Sequence, residues 1–291
     1  MFLFMSNEMK VSVYVPVYNG ENTIESCINS LLSQTKNFDE IIIINDASTD
    51  STLKKIEKFK EIKIINNQYN YGLSKSRNIA INECKYDLVA NVDADIMLDK
   101  NWLSKTLEVL KSGEIVFCGG NTKEKYLDNI FNKWRNDYYN LSWGEVDIVN
   151  PPFIYGSNSI QRKSLWKEVD GYNENLKTAG DDVDYSYRVN KLKKYKTFYK
   201  SSAISYHLQN DNLNTLANRV WRYHISGYKI RKMSFLRSLK LIVKQFKFFF
   251  KRSFNNIISL KFSYILINFY ILGYFIFNEI KYLAKKDKNG F

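Results

Sequence analysis

Two aspartates one residue apart, Asp93 and Asp95, follow an apolar run at Leu88, Val89 and Ala90, where a buried strand should end. One carboxylate of such a pair can hold a divalent ion while the other reaches a ribose or sugar hydroxyl. Mg2+ in particular is usually bound through one or two carboxylates plus substrate phosphates. A second pair, Asp181 and Asp182, stands after Gly180, and His207 follows further on, one of two histidines with His224. Carboxylates can hold a cation or take a proton, and a neutral imidazole can share the cation. A D-x-D spacing alone arises by chance about once in a chain of this length. Its company therefore decides its meaning.

The elements that must position these residues alternate. Val11–Tyr18 reads as a buried first strand, broken by Asn19-Gly20. Ile24, Cys27, Ile28, Leu31 and Leu32 fall on one face of a helix. Glu40–Ile44 is apolar enough for a strand buried on both sides, and Asn45–Asp50 is a polar turn that can cap the next helix. A short strand at Ile62–Ile65, a helix over Ser74–Glu83 and a strand at Asp87–Val92 follow. A helix at Asn101–Leu110 and a strand at Glu114–Cys118 come next. The pattern predicts an α/β fold with a doubly wound, mostly parallel sheet and helices on both faces. Ligands of such sheets bind outside the carboxyl ends of the strands. The aromatic stretch 121–155, with Tyr126, Phe131, Trp134, Tyr138, Tyr139 and Trp143, is expected to pack a helix over the sheet, an acceptor platform being the alternative. Gly156–Ser159 opens a turn before another short strand.

Charge divides the chain. Residues 185–291 carry 22 Lys or Arg against 3 Asp or Glu, whereas residues 1–184 carry 21 against 27. A basic, aromatic tail on an acidic half points to an anionic surface, membrane or nucleic acid. Periodicity favours membrane, and no nucleic-acid partner is expected. Phe235, Leu236, Leu239, Ile242, Val243, Phe246, Phe249 and Phe250 repeat at helical spacing, with Arg237, Lys240, Lys244, Lys247 and Lys251 between them. That is the pattern of a basic amphipathic helix in a membrane interface. Residues 262–278 then run without a charge, near the lower limit of about 17 residues for a bilayer span. Lys261 and Lys281 flank the run, and Ser263, Asn268 and its tyrosines weaken it, so a monotopic anchor is favoured over a span. Cys27, Cys84 and Cys118 have no metal or redox spacing and read as reduced core residues. Met1–Met5 is too short and lacks the basic flank of a secretory leader, so no export is expected.

Five motifs in order then carry a resemblance: V-P-V-Y-N (15–19), N-D-A-S-T-D (45–50), N-Y-G-L-S-K-S-R-N (70–78), D-A-D (93–95) and G-D-D-V-D-Y-S-Y-R (180–188). Together they resemble family 2 glycosyltransferases, which have the GT-A fold and use nucleotide-sugar donors. The resemblance covers about residues 10–210. It implies a catalytic domain over 1–210, with the nucleotide-sugar part at about 10–120 and the acceptor part at about 121–210. Residues 211–291 would be the helical, membrane-associating region.

By resemblance, Pro16, Tyr18 and Asp46 hold the nucleobase end of the donor, Arg77 contacts the diphosphate, and Asp93 reaches the ribose or metal. Asp95 and His207 become ligands of a divalent cation, Mn2+ or Mg2+. Asp182 becomes the general base, with Asp181 beside it and Asp184 as a competitor. Asn45 and Ala47 depart from the family's usual Asp-Asp-Gly-Ser, which weakens the uracil assignment. Asp181 stands where the family usually has Glu. The implied activity is inverting transfer from a nucleotide sugar, in the first place a UDP-sugar, to a glycan or lipid-linked acceptor at the cytoplasmic membrane face. Two alternatives are a polyprenyl-phosphate sugar transferase of the same fold and an inactive membrane- or RNA-binding scaffold. The Q-x-x-R-W of processive synthases is absent, as are H-E-x-x-H and a Walker phosphate loop.

Overall fold

The computed structural model describes residues 9–230 and 235–288, so Met1–Met5 and the side chains of Phe235 and Arg237 lie outside the described residues. The first half is a parallel α/β run. It comprises β1 (Val11–Val17), α1 (Ile24–Leu32), β2 (Glu40–Asn45), α2 (Thr52–Ile56), β3 (Lys63–Asn66), α3 (Leu73–Glu83) and β4 (Leu88–Val92). The strands lie in the order β3-β2-β1-β4, all parallel. β1 and β4 are buried throughout, as the β-branched sequence requires for strands covered on both faces. Ile24, Cys27, Ile28 and Leu31 of α1 enter the core, while Leu32 stays half-exposed.

Beyond β4 the sheet is mixed. The elements are β5 (Ile96–Leu98), α4 (Trp102–Leu110), β6 (Ile115–Glu124), α5 (Ile130–Tyr139) and β7 (Ile148–Val149). Then come β8 (Asn158–Arg162), α6 (Lys163–Glu168), α7 (Asp181–Lys191) and β9 (Lys196–His207). The sheet continues β4-β8-β6-β9-β5, with β7 on β9. β8 runs antiparallel to β4, Val92 opposite Asn158, so the turn at Gly156 arrives at the end of β4 from which Asp93 and Asp95 project. β6 runs parallel to β9 with an irregularity between Gly120 and Asn121 and ends with Glu124 beside His207. The strand predicted to stop at Cys118 thus continues six residues further. A Cβ on Gly120 would stand 2.4 Å from the Ala203 carbonyl, so only glycine allows β6 and β9 to close here.

The chain divides into two compact units. One holds the sheet, up to Lys125 together with Asn140–Gln209; the other holds Tyr126–Tyr139 and the residues from Asn210 onward. The second unit consists of α5, α8 (Leu213–Ile230), α9 (Phe235–Ile258) and α10 (Phe262–Lys288). The aromatic helix predicted to cover the sheet therefore belongs to the C-terminal unit. Its Trp134 is buried with Leu216, Val220, Phe249, Ile267 and Ile271, and the indole donates to Asn268 Oδ1 at 2.9 Å. The heptad-like aromatic spacing could not reveal which partner that helix would choose.

Asp211, fully buried, accepts from Arg135, also buried, and from Arg219 Nε at 3.2 Å. Removing one partner of a buried pair strands the other charge, at a cost of about 3–5 kcal/mol. Asp211→Ala is expected to lower unfolding stability by about 3 kcal/mol in urea denaturation followed by tryptophan fluorescence. A loss under about 1 kcal/mol would mean that the Asp211 pairing contributes little to stability.

Candidate functional site

The loops after β1 and β2 are stapled to each other. Asn19, in the left-handed backbone region, donates its N–H to Ser48 Oγ at 3.0 Å and accepts from the Thr49 N–H at 2.8 Å. Gly20 N–H reaches Thr52 Oγ1, and Glu21 N–H reaches Asp50. Pro16 is buried within β1, opposite Ile44. Tyr18 stands half-exposed at the strand's carboxyl end. Asp46 is buried and accepts from Asn67 Nδ2 at 2.7 Å, Tyr71 N–H at 3.0 Å and Gly72 N–H at 2.9 Å. Three of about four acceptor positions are thereby spent on shaping the loop before α3. Asp46 is thus built first as the anchor of that loop, whatever it does to a base.

Gly72 begins α3 with φ 88°, a conformation that glycine alone adopts freely, and Leu73 N–H and Ser74 Oγ fasten the 176–177 backbone above it. One turn on, Arg77 is buried. Its guanidinium donates to Asp181, to Asp93 Oδ1 at 2.7 Å and to the Gly156 carbonyl at 3.2 Å, and lies over the Tyr172 ring. Burial alone would favour discharging it, but Asp181 and Asp93 outweigh that and hold the cation above its usual range. The resemblance assigned Arg77 to a diphosphate. The structure instead seals it beneath the site, where it ties together carboxylates 88 positions apart in the chain.

Those ties separate the fates of neighbouring acids. Asp181 is buried against Arg77, whereas Asp182 accepts from Gly156 N–H at 3.1 Å and Val183 N–H at 2.8 Å. Burial, then the Asp181 charge, push the Asp182 carboxyl up to about 6, against Arg77 and its backbone donors. Asp93 is also raised to about 6, by burial foremost and by Asp95 beside it, with Arg77 opposing. Asp184, the competitor, is held by Arg188 Nε at 2.9 Å, one helical turn along α7.

On the other side, His207 Nε2 lies 3.3 Å from Asp95 Oδ2, and its Nδ1 lies 3.2 Å from both oxygens of Glu124. Burial would favour the neutral ring, but Asp95 and Glu124 raise its pKa above the ordinary value. Sequence reasoning missed Glu124 and Gly156. The former is recognisable only through the register of β6 on β9. Gly156 contributes its carbonyl to Arg77 and Asn91 and its N–H to Asp182, backbone roles that leave no side-chain signal. A cavity of about 900 Å³, bordered by Asn78, Trp166, Tyr172 and Glu174, is lined by Asp184 and by none of the other predicted site residues.

Residues 12–169 match the description Glycosyl transferase family 2, over half of the sequence. The chain belongs to glycosyl transferase family 2. An uncharacterized glycosyltransferase of Haemophilus influenzae is 32% identical over 182 residues, 56% of this chain and 55% of that one. The poly(ribitol-phosphate) beta-N-acetylglucosaminyltransferase TarS of Staphylococcus aureus is 29% identical over 192 residues, 60% of this chain and 31% of that one. This family 2 chain thus spans about half or less of the length of these curated relatives. The mannosyltransferase PcManGT from Pyrobaculum calidifontis, solved in complex with GDP-Man and Mn2+, has a TM-score of 0.61 over 92% of this chain and 86% of its own, at 12% identity. That likeness is one of fold, and the sheet with its flanking helices is of the GT-A type.

The donor set suits a divalent ion shared with a ligand. A carboxylate and an imidazole nitrogen face each other, and the far ring nitrogen is oriented by a second carboxylate, the usual outer support of a metal-bound histidine. Among the described residues no three His, Cys, Asp or Glu side chains form a group able to hold an ion alone. Substrate oxygens would have to complete the shell.

Arg77→Met leaves Asp93 and Asp181 without their cation and is expected to lower stability by about 3 kcal/mol in chemical denaturation. A side chain that served a diphosphate would instead lower nucleotide affinity with stability little changed. Gly156→Ala tests the same contact from the other side, because its Cβ would lie 2.5 Å from Arg77 Nη1. It is expected to destabilise the protein in the same assay, and wild-type stability would show that Arg77 can yield.

Proposed function

We propose that the chain is an inverting glycosyltransferase that moves a sugar from a nucleotide-diphosphate sugar, in the first place a UDP-sugar, to a hydroxyl of a glycan or lipid-linked acceptor. The observation that carries this reading is the Arg77 bridge, which sets the Asp93–Asp95 turn and the Asp181–Asp182 pair around one centre. Placement at the strand ends fits ligand binding in open α/β sheets. Pro16, Tyr18 and Asp46 lie at the nucleobase end of the donor, and Asp93 on the ribose side.

Asp182 takes the proton of the acceptor hydroxyl as that oxygen attacks the anomeric carbon, and the nucleoside diphosphate leaves on the opposite side with inversion. Asp181 is neutralised by Arg77 and positions the helix turn that presents Asp182. Asp95 and His207 would hold the divalent ion, oriented by Glu124, and that ion supplies charge neutralisation to the departing diphosphate. The imidazole nitrogen favours Mn2+ over Mg2+. The apolar C-terminal helix supports placement at the cytoplasmic face of a membrane, where surface polysaccharide or glycoconjugate is assembled; its stretch Phe262–Tyr282 is long and apolar enough to cross one by length and composition.

Nucleoside diphosphate release, measured across a panel of nucleotide sugars with Mn2+, Mg2+ or chelator, tests the reading. One donor should be turned over in a metal-dependent reaction that Asp95→Ala abolishes, and no turnover or binding of any donor would sink it. Transfer to an acceptor should be lost in Asp182→Asn. The base works deprotonated, and its carboxyl titrates at about 6. Transfer rates should therefore be flat above that pH and fall about tenfold per unit below it. A profile flat down to pH 5 would remove Asp182 from the role.

A further inference from the structure

Helix α9 is apolar on two sides, and only one of them is used inside the fold. Phe249 is 2% exposed, and with Gln245, Ser253 and Asn256 it faces inward. The neighbouring side presents Leu239, Val243, Phe246, Phe250, Phe254 and Ile257, all exposed. At 100° per residue these six fall in one sector, and Lys240, Lys244, Lys247 and Lys251, exposed as well, form the adjoining sector. Helix α10 repeats the division. Ile267, Asn268, Ile271 and Phe275 are buried, while Phe262, Leu266, Phe269, Phe277 and Ile280 look outward. The outer faces join, since the Phe250 ring is stacked 6.4 Å from Phe246 and meets Phe269 edge-on at 6.2 Å. A contiguous apolar surface of this extent marks an interaction site.

We propose that the outer face of the α9–α10 hairpin lies in the plane of an anionic lipid surface, with both helix axes parallel to the membrane. The inference rests on the membrane placement proposed above and adds how the segment is seated. Charge selects the occupant. A row of exposed lysines beside the apolar face complements anionic headgroups, each contributing favourably near the surface. A second copy of the chain would bring a like-charged row against it. The inner side of α10 argues against a crossing helix. Asn268 is buried and bonded to Trp134 and Ser253, and Glu279 is buried too, so this face is already committed to the protein. Only one side remains for lipid, the signature of a helix lying in an interface.

Depth along α10 provides the test. The native cysteines are all buried, so single cysteines placed by Phe262→Cys, Phe269→Cys and Phe277→Cys can be spin-labelled selectively on the full-length protein. Vesicles of phosphatidylcholine with and without phosphatidylglycerol are then added, without donor or acceptor. Binding is expected to require the anionic lipid, and the three labels should report one shallow depth. A crossing helix would separate the outer two by roughly 22 Å in depth, and such a gradient would overturn the in-plane seat while leaving membrane association intact. Replacing Lys240, Lys244, Lys247 and Lys251 with Gln should weaken partitioning about fivefold per lysine, and unchanged binding would overturn the role of the basic row. Absence of vesicle binding, with the labels buried in a dimer, would overturn both the seat and the membrane placement, without touching the sugar-transfer reading.

Discussion

The guanidinium of Arg77 is the constraint on which the site depends. It is buried, its charge is held above the usual range by Asp181 and Asp93 against the burial, and it fixes where both acids stand. Neither carboxylate could remain so enclosed without it, since an unpaired buried charge is far costlier than a paired one. A lysine could not substitute at equal value, because the planar fork reaches two carboxylates and a carbonyl while lying over the Tyr172 ring. The cation is therefore spent on architecture, and a diphosphate at the proposed site would draw positive charge from elsewhere. That division agrees with an imidazole and a carboxylate facing each other across 3.3 Å on the other side of Asp93.

Strand register delivers the remaining parts. β8 returns antiparallel along β4, which carries the Gly156 backbone over Arg77 and under Asp182. The parallel pairing of β6 with β9, shifted between Ile115 and Phe117 and again between Gly120 and Asn121, ends with Glu124 alongside His207. Asn158 locks this region. Its amide accepts from Gly120 N–H at 2.7 Å and donates to Ser205 Oγ at 2.9 Å and to Thr122. A buried, satisfied amide of this kind holds three strands in one relation.

Much of this was legible in the sequence because the signals are local. The parallel strands announce themselves as β-branched runs, the helices as 3.6-residue repeats, and the motif order names the family. What was not legible depends on non-local choices. Arg77 in a phosphate-like motif reads as a ligand contact, and only its tertiary partners show that both faces of its fork are taken. Glu124 is an unremarkable acid until β6 is extended past a bulge. The helix of Trp134 has a clear apolar face, but periodicity does not say whether that face meets the sheet or α8 and α10. In α9, two apolar sectors overlap in one pattern, and burial was needed to separate Phe249 from Phe246 and Phe250.

The adjacent aspartates at the start of α7 are set apart by their partners, Arg77 for Asp181 and backbone donors for Asp182. Gly180 turns the chain with φ 82°, and the helix then begins with both acids in its first turn, where the backbone dipole favours negative charge. That field alone would keep Asp182 ionised and weakly basic. Burial and the Asp181 carboxylate act in the other direction and raise its affinity for a proton, while Arg77 limits the rise. Were Asp181 replaced by a neutral residue, Arg77 would lose one of its two anions, and Asp182 would keep the burial that chiefly raises its carboxyl but lose the added push of the Asp181 charge. The first acid thus anchors Arg77 and adds to the raised proton affinity of the second, so the two positions are not interchangeable.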